Sequence, residues 1–173
     1  MKRLLSFVML ATLVVAPSAA QSQPTAMSLS MIGVGPHGYD FFIGTWTCNN
    51  PTPSAMAGPS TFTITVARSN ASPALFVRTA GKNFDTSGYV AYSSKTKTWW
   101  GPTAYADGSY GLETSTATGK KTVWSGSYFS ASGKTMQIKD TYDQLTLTKY
   151  TDLGEYKAGG AWKTLYLITC TKM

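Results

Sequence analysis

Few side chains in the sequence have the types and spacing needed for acid, base or nucleophilic chemistry. His37 is the only histidine, and a lone histidine in a loop rich in Gly and Pro is most often a surface residue. Asp140 and Asp143 resemble a carboxylate pair, but side chains three residues apart lie on opposite faces of a strand. The sequence therefore predicts no catalytic residue, no metal site and no cofactor. A hydrolase-type enzyme would need His37 to lie at the mouth of a barrel beside Asp40 or Asp140.

Two arginines, Arg68 and Arg78, follow the basic start of the chain. Arg68 shares its strand parity with Val66, and Arg78 shares its parity with Phe76, so each could point inward. An inward guanidinium could bind a ligand carboxylate through two hydrogen bonds. It could equally pair with Asp140 or lie exposed at a strand end. The alternatives stay open, and the sequence favours a salt bridge or exposure.

The start of the chain has the pattern of an export signal. Residues 1–3 are basic at their second and third positions, residues 4–16 are an uncharged apolar run, and residues 18–20 are small. The apolar run is too short for a helix that spans a bilayer, which needs about 20 residues. We therefore predict a signal peptide over residues 1–20, cleaved near Ala20. The product would be a soluble periplasmic or extracellular protein without a transmembrane segment.

The charge of the chain favours no polyanionic partner. The formal net charge of +7 falls to +5 if Lys2 and Arg3 leave with the signal. The remaining lysines are scattered and form no stripe of the kind that binds a phosphate backbone. Nucleic acid is therefore not an expected partner, and the oligomeric state is left open.

Beyond the signal, the chain divides into a leader and one β-rich domain. Residues 21–38 are rich in Ser, Pro, Gly and Met and lack periodicity, which predicts a flexible leader. From residue 39, apolar and polar residues alternate with the period of half-buried strands. This pattern predicts strands over residues 41–48, 61–67, 75–79, 88–92, 98–100, 109–114, 122–129, 135–142, 144–150 and 162–171. We expect an all-β fold, a single closed antiparallel barrel of 8–10 strands over residues 39–173.

The first predicted strand carries Gly44, Trp46 and Cys48 at alternate positions, so all three share one face. The bulk of Trp46 makes this the inner face. Two cysteines in an exported chain pair more often than they bind metal. A Cys48–Cys170 disulfide would place the first and last strands side by side and close the sheet into a barrel.

An ordered set of short motifs carries a family resemblance. The set comprises the Gly-Thr-Trp of the first strand, residues 89–92 followed by Trp99, residues 140–143, and the terminal Cys170. It resembles exported bacterial lipocalin-like proteins of unknown function in the calycin superfamily. The resemblance covers nearly all of residues 39–173 and implies a barrel, but it implies no activity.

Two other kinds of barrel show a more distant likeness. Nitrobindin-like barrels also begin with a Gly-Thr-Trp strand, but they hold haem through a C-terminal histidine that is absent from this sequence. Avidin-like barrels share the same opening and resemble residues 122–126 and 161–165. The acidic residue expected in their last strand is replaced here by residues 169–171, Thr-Cys-Thr.

The five tryptophans and ten tyrosines could line a ligand cavity or fill the core. We expect non-covalent binding of a small apolar or amphipathic molecule, with the candidate binding residues Trp46, Arg78, Tyr92, Trp124 and Tyr142. The alternative is a structural or interaction protein of the cell envelope with a filled barrel. Avidin-like biotin binding and a hydrolase-type activity are minor alternatives. An interior cavity of several hundred cubic ångströms would favour ligand binding.

Overall fold

The structure, a computed structural model, describes residues 37–54, 56–70, 72–116 and 120–173. The predicted signal peptide and all but the last two residues of the predicted leader lie outside these ranges. Within them, no helix has the length and apolar character needed to cross a membrane.

Ten antiparallel strands form one closed barrel, which confirms the predicted fold class. Each strand pairs with its neighbours in sequence, and the last strand pairs with the first. The strands are β1 (Gly44–Asn49), β2 (Thr61–Arg68), β3 (Leu75–Gly81), β4 (Phe84–Ser93), β5 (Thr98–Tyr105), β6 (Tyr110–Ser115), β7 (Lys121–Phe129), β8 (Thr135–Thr146), β9 (Lys149–Ala158) and β10 (Ala161–Lys172).

The pairing of β1 with β10 depends on the two cysteines. Cys48 lies directly opposite Cys170 in the register, and the two form the predicted disulfide. Both cysteines and Trp46 are fully buried, which confirms that this face of β1 points inward. Closure leaves the barrel without a free sheet edge.

The first strand is shorter than predicted. Asp40–Phe42 forms a 3₁₀ turn, and β1 begins only at Gly44, whose φ of 127° turns the chain. The prediction of an extended strand from residue 41 was therefore wrong. The turn places the rings of Phe41 and Phe42 against Trp46, so all three aromatic residues are buried at one end of the barrel.

The predicted strand over residues 144–150 was also wrong. It covers the end of β8, a tight hairpin connection and the start of β9. Leu145 and Leu147 gave this segment an apolar alternation, but both point outward and are exposed. The rest of β9 was missed because its inward positions include Asp152 and Gly154, which do not give an apolar pattern.

An aromatic cluster closes one end of the barrel. The indole Nε1 of Trp46 donates a 2.7 Å hydrogen bond to the carbonyl oxygen of Phe42. The hydroxyls of Tyr39 and Thr122 share a hydrogen bond of 3.0 Å. Trp99 packs edge-on against Tyr39, with ring centroids 4.5 Å apart. These contacts fix the 3₁₀ turn as a plug, so any open interior space lies beyond it.

Candidate ligand cavity

The barrel encloses a cavity of about 200 Å³ beyond the aromatic plug. Its lining residues come from β2–β10, from the plug and from the segment between β1 and β2. Tyr39 and Phe42 of the plug form its floor, and Met56 and Ala57 contribute from the segment after β1. The strands thus enclose a space that their own side chains do not fill.

One side of the cavity is mainly apolar. It is formed by inward residues of β2, β3 and β4, whose alternating pattern was visible in the sequence. This apolar wall comprises Phe62, Ile64, Val66, Leu75, Val77 and Val90. This wall can bury the hydrocarbon part of a ligand, which stabilises the complex by about 25 cal/mol for each Å² of apolar surface removed from water.

The other side is mainly polar and comes from β5 to β10. This polar wall contains three carboxyl groups and four phenols, from Tyr105, Glu113, Asp140, Tyr142, Tyr150, Asp152 and Tyr166. A cavity with one apolar and one polar wall is suited to an amphipathic molecule and would orient it.

Asp140 is held by Tyr166, whose hydroxyl donates a 2.7 Å hydrogen bond to Oδ1 of the carboxyl. A register shift in β10 between Thr164 and Tyr166 precedes this contact, and Tyr166 pairs with Gly154 of β9. Gly154 has no side chain, so the Tyr166 ring can lie directly over it. The bulge and the glycine together position the phenol beside Asp140.

Burial alters the acidity of all three carboxyl groups. It raises the pKa of Glu113 to about 9, and the nearby Asp140 adds to this effect. Burial raises the pKa of Asp140 to about 6, although hydrogen bonding by Tyr166 opposes the rise. Burial also raises the pKa of Asp152, and the charges of Asp140 and Glu113 raise it further. At neutral pH burial therefore keeps Glu113 protonated, whereas Asp140 is mostly ionised.

The phenols of the polar wall are neutral hydrogen-bonding groups. Burial raises the pKa of Tyr105, Tyr142 and Tyr166, and the charge of Asp140 raises each of them further. Because these hydroxyls stay protonated, they can donate to a ligand or to the carboxyl groups.

Several polar atoms at or beside the cavity lack a hydrogen-bond partner in the described structure. They are Oε1 of Glu113, Oδ1 of Asp152 and the indole Nε1 atoms of Trp99 and Trp124. An unpaired buried polar atom costs about 1–3 kcal/mol, so native proteins rarely leave several of them together. A bound molecule with complementary polar groups would satisfy them.

The structure separates the five predicted binding residues. Trp124 and Tyr142 line the cavity. Trp46 and Tyr92 lie in or against the buried aromatic core, and neither lines the cavity. Two of the candidates thus lie in the cavity wall, and two lie in or against the buried core.

Arg78 lies on the outer surface of the barrel. Its side chain is 67% exposed, and its Nη2 is 3.0 Å from Oδ2 of Asp85 on the neighbouring strand. Phe76, whose parity suggested an inward direction, is itself 44% exposed. The expectation that Arg78 could point inward was therefore wrong, and the residue is exposed at the surface.

Arg68 contacts Asp40 through Nη2 and the Oδ1 atom of the carboxyl. The other oxygen of the same carboxyl is 3.1 Å from Nδ1 of His37. His37 therefore lies beside Asp40, which is one part of the arrangement that the enzymatic alternative required. However, the His37 side chain is 74% exposed, and neither His37 nor Asp40 lines the cavity. Neither arginine pairs with Asp140.

Glu113, Asp152, Tyr105 and Tyr166 were missed as site residues. Glu113 and Leu112 are adjacent in β6, so their side chains point to opposite faces of the strand. Apolar residues usually face the interior, but Leu112 is 48% exposed and Glu113 faces the cavity. Parity with Ile138 correctly indicated that Asp140 points inward. Comparing Glu113 with the residues opposite it on the paired strands, and not with its neighbours in β6, could have shown that it also points inward.

No set of three His, Cys, Asp or Glu side chains in the described ranges is arranged to hold a metal ion. Comparisons with protein-family models and with curated proteins find no match for the chain.

Proposed function

We propose that the protein is an exported lipocalin-like barrel that binds one small amphipathic molecule non-covalently in its cavity. The observation that carries this proposal is the division of the cavity into an apolar wall and a polar wall. The buried disulfide supports export, since such bonds persist in oxidising compartments.

The size of the cavity limits the ligand. Its volume of about 200 Å³ is smaller than that of most drug-sized sites, and it is below the several hundred cubic ångströms that would favour ligand binding by size alone. An apolar cavity of about 150 Å³ is large enough for benzene. We therefore expect a ligand with one ring or a short alkyl chain and one polar group.

The alternative of a filled structural barrel is less well supported. A filled barrel would leave no interior space, whereas this one has a cavity of about 200 Å³. It would also have no need for unpaired carboxyl oxygens in its interior.

Binding can be tested by calorimetric titration with small amphipathic compounds such as 2-phenylethanol. Val77→Phe would extend an inward side chain of β3 into the cavity, and we expect it to abolish binding while the barrel still folds. Arg78→Ala changes the adjacent outward residue and should bind as the parent protein does. Equal binding by the parent and Val77→Phe would contradict a site inside the barrel, and loss of binding in Arg78→Ala would restore that arginine as an anchor.

A further inference from the structure

We propose that the cavity selects a protonated amine, whose ammonium group lies among Glu113, Asp140 and Asp152 while its apolar part contacts the wall of β2–β4. This inference rests on the proposed function, because it names the ligand class for the same cavity.

The first support is the pairing of the acidic residues. The chain has eight, and all of them lie in the described ranges. Four form ion pairs with Lys or Arg outside the cavity, namely Asp40, Asp85, Asp143 and Glu155. Asp107 accepts hydrogen bonds from Ser109. The remaining three are the carboxyl groups of the cavity.

The three carboxyl groups of the cavity have no cationic partner within the described structure. No described residue that lines the cavity is Lys, Arg or His. Buried carboxylates in proteins are normally paired with a cation or bound to a metal. The missing positive charge is therefore one that a ligand can supply.

The second support is the set of unpaired oxygens. Asp152 is only 8% exposed, lines the cavity and leaves Oδ1 without a partner. Oε1 of Glu113 is also buried without a partner. In the carboxylate form both atoms are acceptors, so they require a donor. A primary ammonium group offers three N–H donors and no acceptor, and it matches both the charge and the hydrogen-bonding capacity of this wall.

The aromatic residues of the cavity suit the same ligand. Trp124 and the phenols line the interior. A cation within about 6 Å of the face of an aromatic ring is attracted to it. An anionic ligand would instead meet three carboxyl groups and no positive charge, which disfavours it in a buried site.

Binding of an ammonium group should displace protons. The titratable groups that face the cavity are Tyr39, Tyr105 on β5, Glu113 on β6, Asp140 and Tyr142 on β8, Tyr150 and Asp152 on β9, and Tyr166 on β10. Of these, Asp140 and Glu113 have pKa values of about 6 and about 9, so both change charge in the range where binding is tested. A cation favours the carboxylate form, so its affinity should rise with pH while protons are released.

The test compares three compounds of similar size on the purified protein at pH 8 by calorimetry: 2-phenylethylamine, 2-phenylethanol and phenylacetate. An aliphatic amine stays protonated at this pH, because its pKa is close to that of lysine, about 10.4. We expect the amine to bind at least about tenfold more tightly than the alcohol, and phenylacetate to bind more weakly than either. The measured heat should depend on the ionisation enthalpy of the buffer, and the affinity for the amine should fall at pH 5.

Neutral variants of the acids locate the selectivity. Glu113→Gln and Asp152→Asn keep the side-chain shape, so we expect each to lose at least about tenfold in amine affinity while binding of 2-phenylethanol is retained. Asp85→Asn removes a surface carboxyl from the outer face and should leave amine binding unchanged. Far-UV circular dichroism shows whether each variant folds. If a variant does not fold, the comparison of the three compounds on the parent protein tests amine selection.

The outcomes separate this inference from the proposed function. If 2-phenylethanol binds as tightly as the amine, or if the acid variants keep their preference for the amine, amine selection is wrong and the amphipathic cavity stands. If none of the three compounds binds, both proposals are contradicted.

Discussion

The phenol of Tyr166 and the carboxyl of Asp140 meet inside the barrel, joined by a 2.7 Å hydrogen bond between residues of β10 and β8. β9 lies between these two strands, and its Gly154 leaves the space that the phenol crosses. The pair therefore links three adjacent strands of the polar wall.

Tyr166→Phe should destabilise the protein in a pH-dependent way. The variant removes a donor to Asp140, and a hydrogen bond to a charged group contributes about 2 kcal/mol. Because the pKa of Asp140 is about 6, the loss should be larger at pH 8 than at pH 5. Urea unfolding at both pH values measures it. An equal loss at the two pH values would mean that the bond does not favour the ionised carboxyl.

Gly154→Ala should be destabilising by about 3 kcal/mol, because a Cβ at this position would lie 2.2 Å from Cζ of Tyr166. The ring would have to leave its place beside Asp140. Gly111→Ala is a matched control on β6, since its Cβ would come no closer than 4.0 Å to any neighbour, Cδ1 of Ile138. Urea unfolding of both variants makes the comparison, and similar stabilities would contradict the close packing of Tyr166 on β9.

Stability should fall as the pH rises from about 4 to about 9. The pKa values of Glu113, Asp140 and Asp152 are raised in the folded state, so the folded protein holds protons that the unfolded chain releases. The rise for Asp140 from 3.8 to about 6 alone corresponds to about 3 kcal/mol, or roughly 10 °C in Tm. Calorimetric melting across this range measures the slope.

Glu113→Gln provides the control for this pH dependence. It removes the carboxyl whose pKa is about 9, so the decline in Tm between pH 6 and 9 should become shallower. A decline that is unchanged in the variant would show that Glu113 does not titrate in this range.

Reduction of the Cys48–Cys170 disulfide should lower the free energy of unfolding substantially. The two residues are 122 apart in sequence, and the chain-entropy model gives a loop of this length about 4–5 kcal/mol. Denaturant unfolding with and without a reducing agent measures the difference. The double variant C48A/C170A should show the same loss, and it should no longer respond to the reducing agent.

The sequence was informative about the barrel and much less so about its cavity. The alternation of Phe62, Ile64 and Val66 follows directly from a half-buried strand, and the two cysteines predicted closure of the sheet. The alternation is a property of one strand, and the disulfide involves only two residues. Both can therefore be inferred from the sequence.

The polar wall could not be predicted in the same way. Glu113 and Asp152 face inward against the usual preference of acids for water, and apolar residues such as Leu112 face outward. The register of β8 with β9 brings Asp140 opposite Gly154, and the bulge in β10 brings Tyr166 opposite the same glycine. Packing alone would have favoured the opposite arrangement, and departures of this kind are expected where a protein has a functional site.

The most direct test of the central claim is native mass spectrometry of the protein purified without denaturation from the cells that produce it. A ligand-binding barrel should carry one small molecule in a 1:1 complex, and that mass should disappear on denaturation and be absent from Val77→Phe. The mass of the polypeptide alone, together with no binding of small amphipathic compounds added to it, would contradict the account.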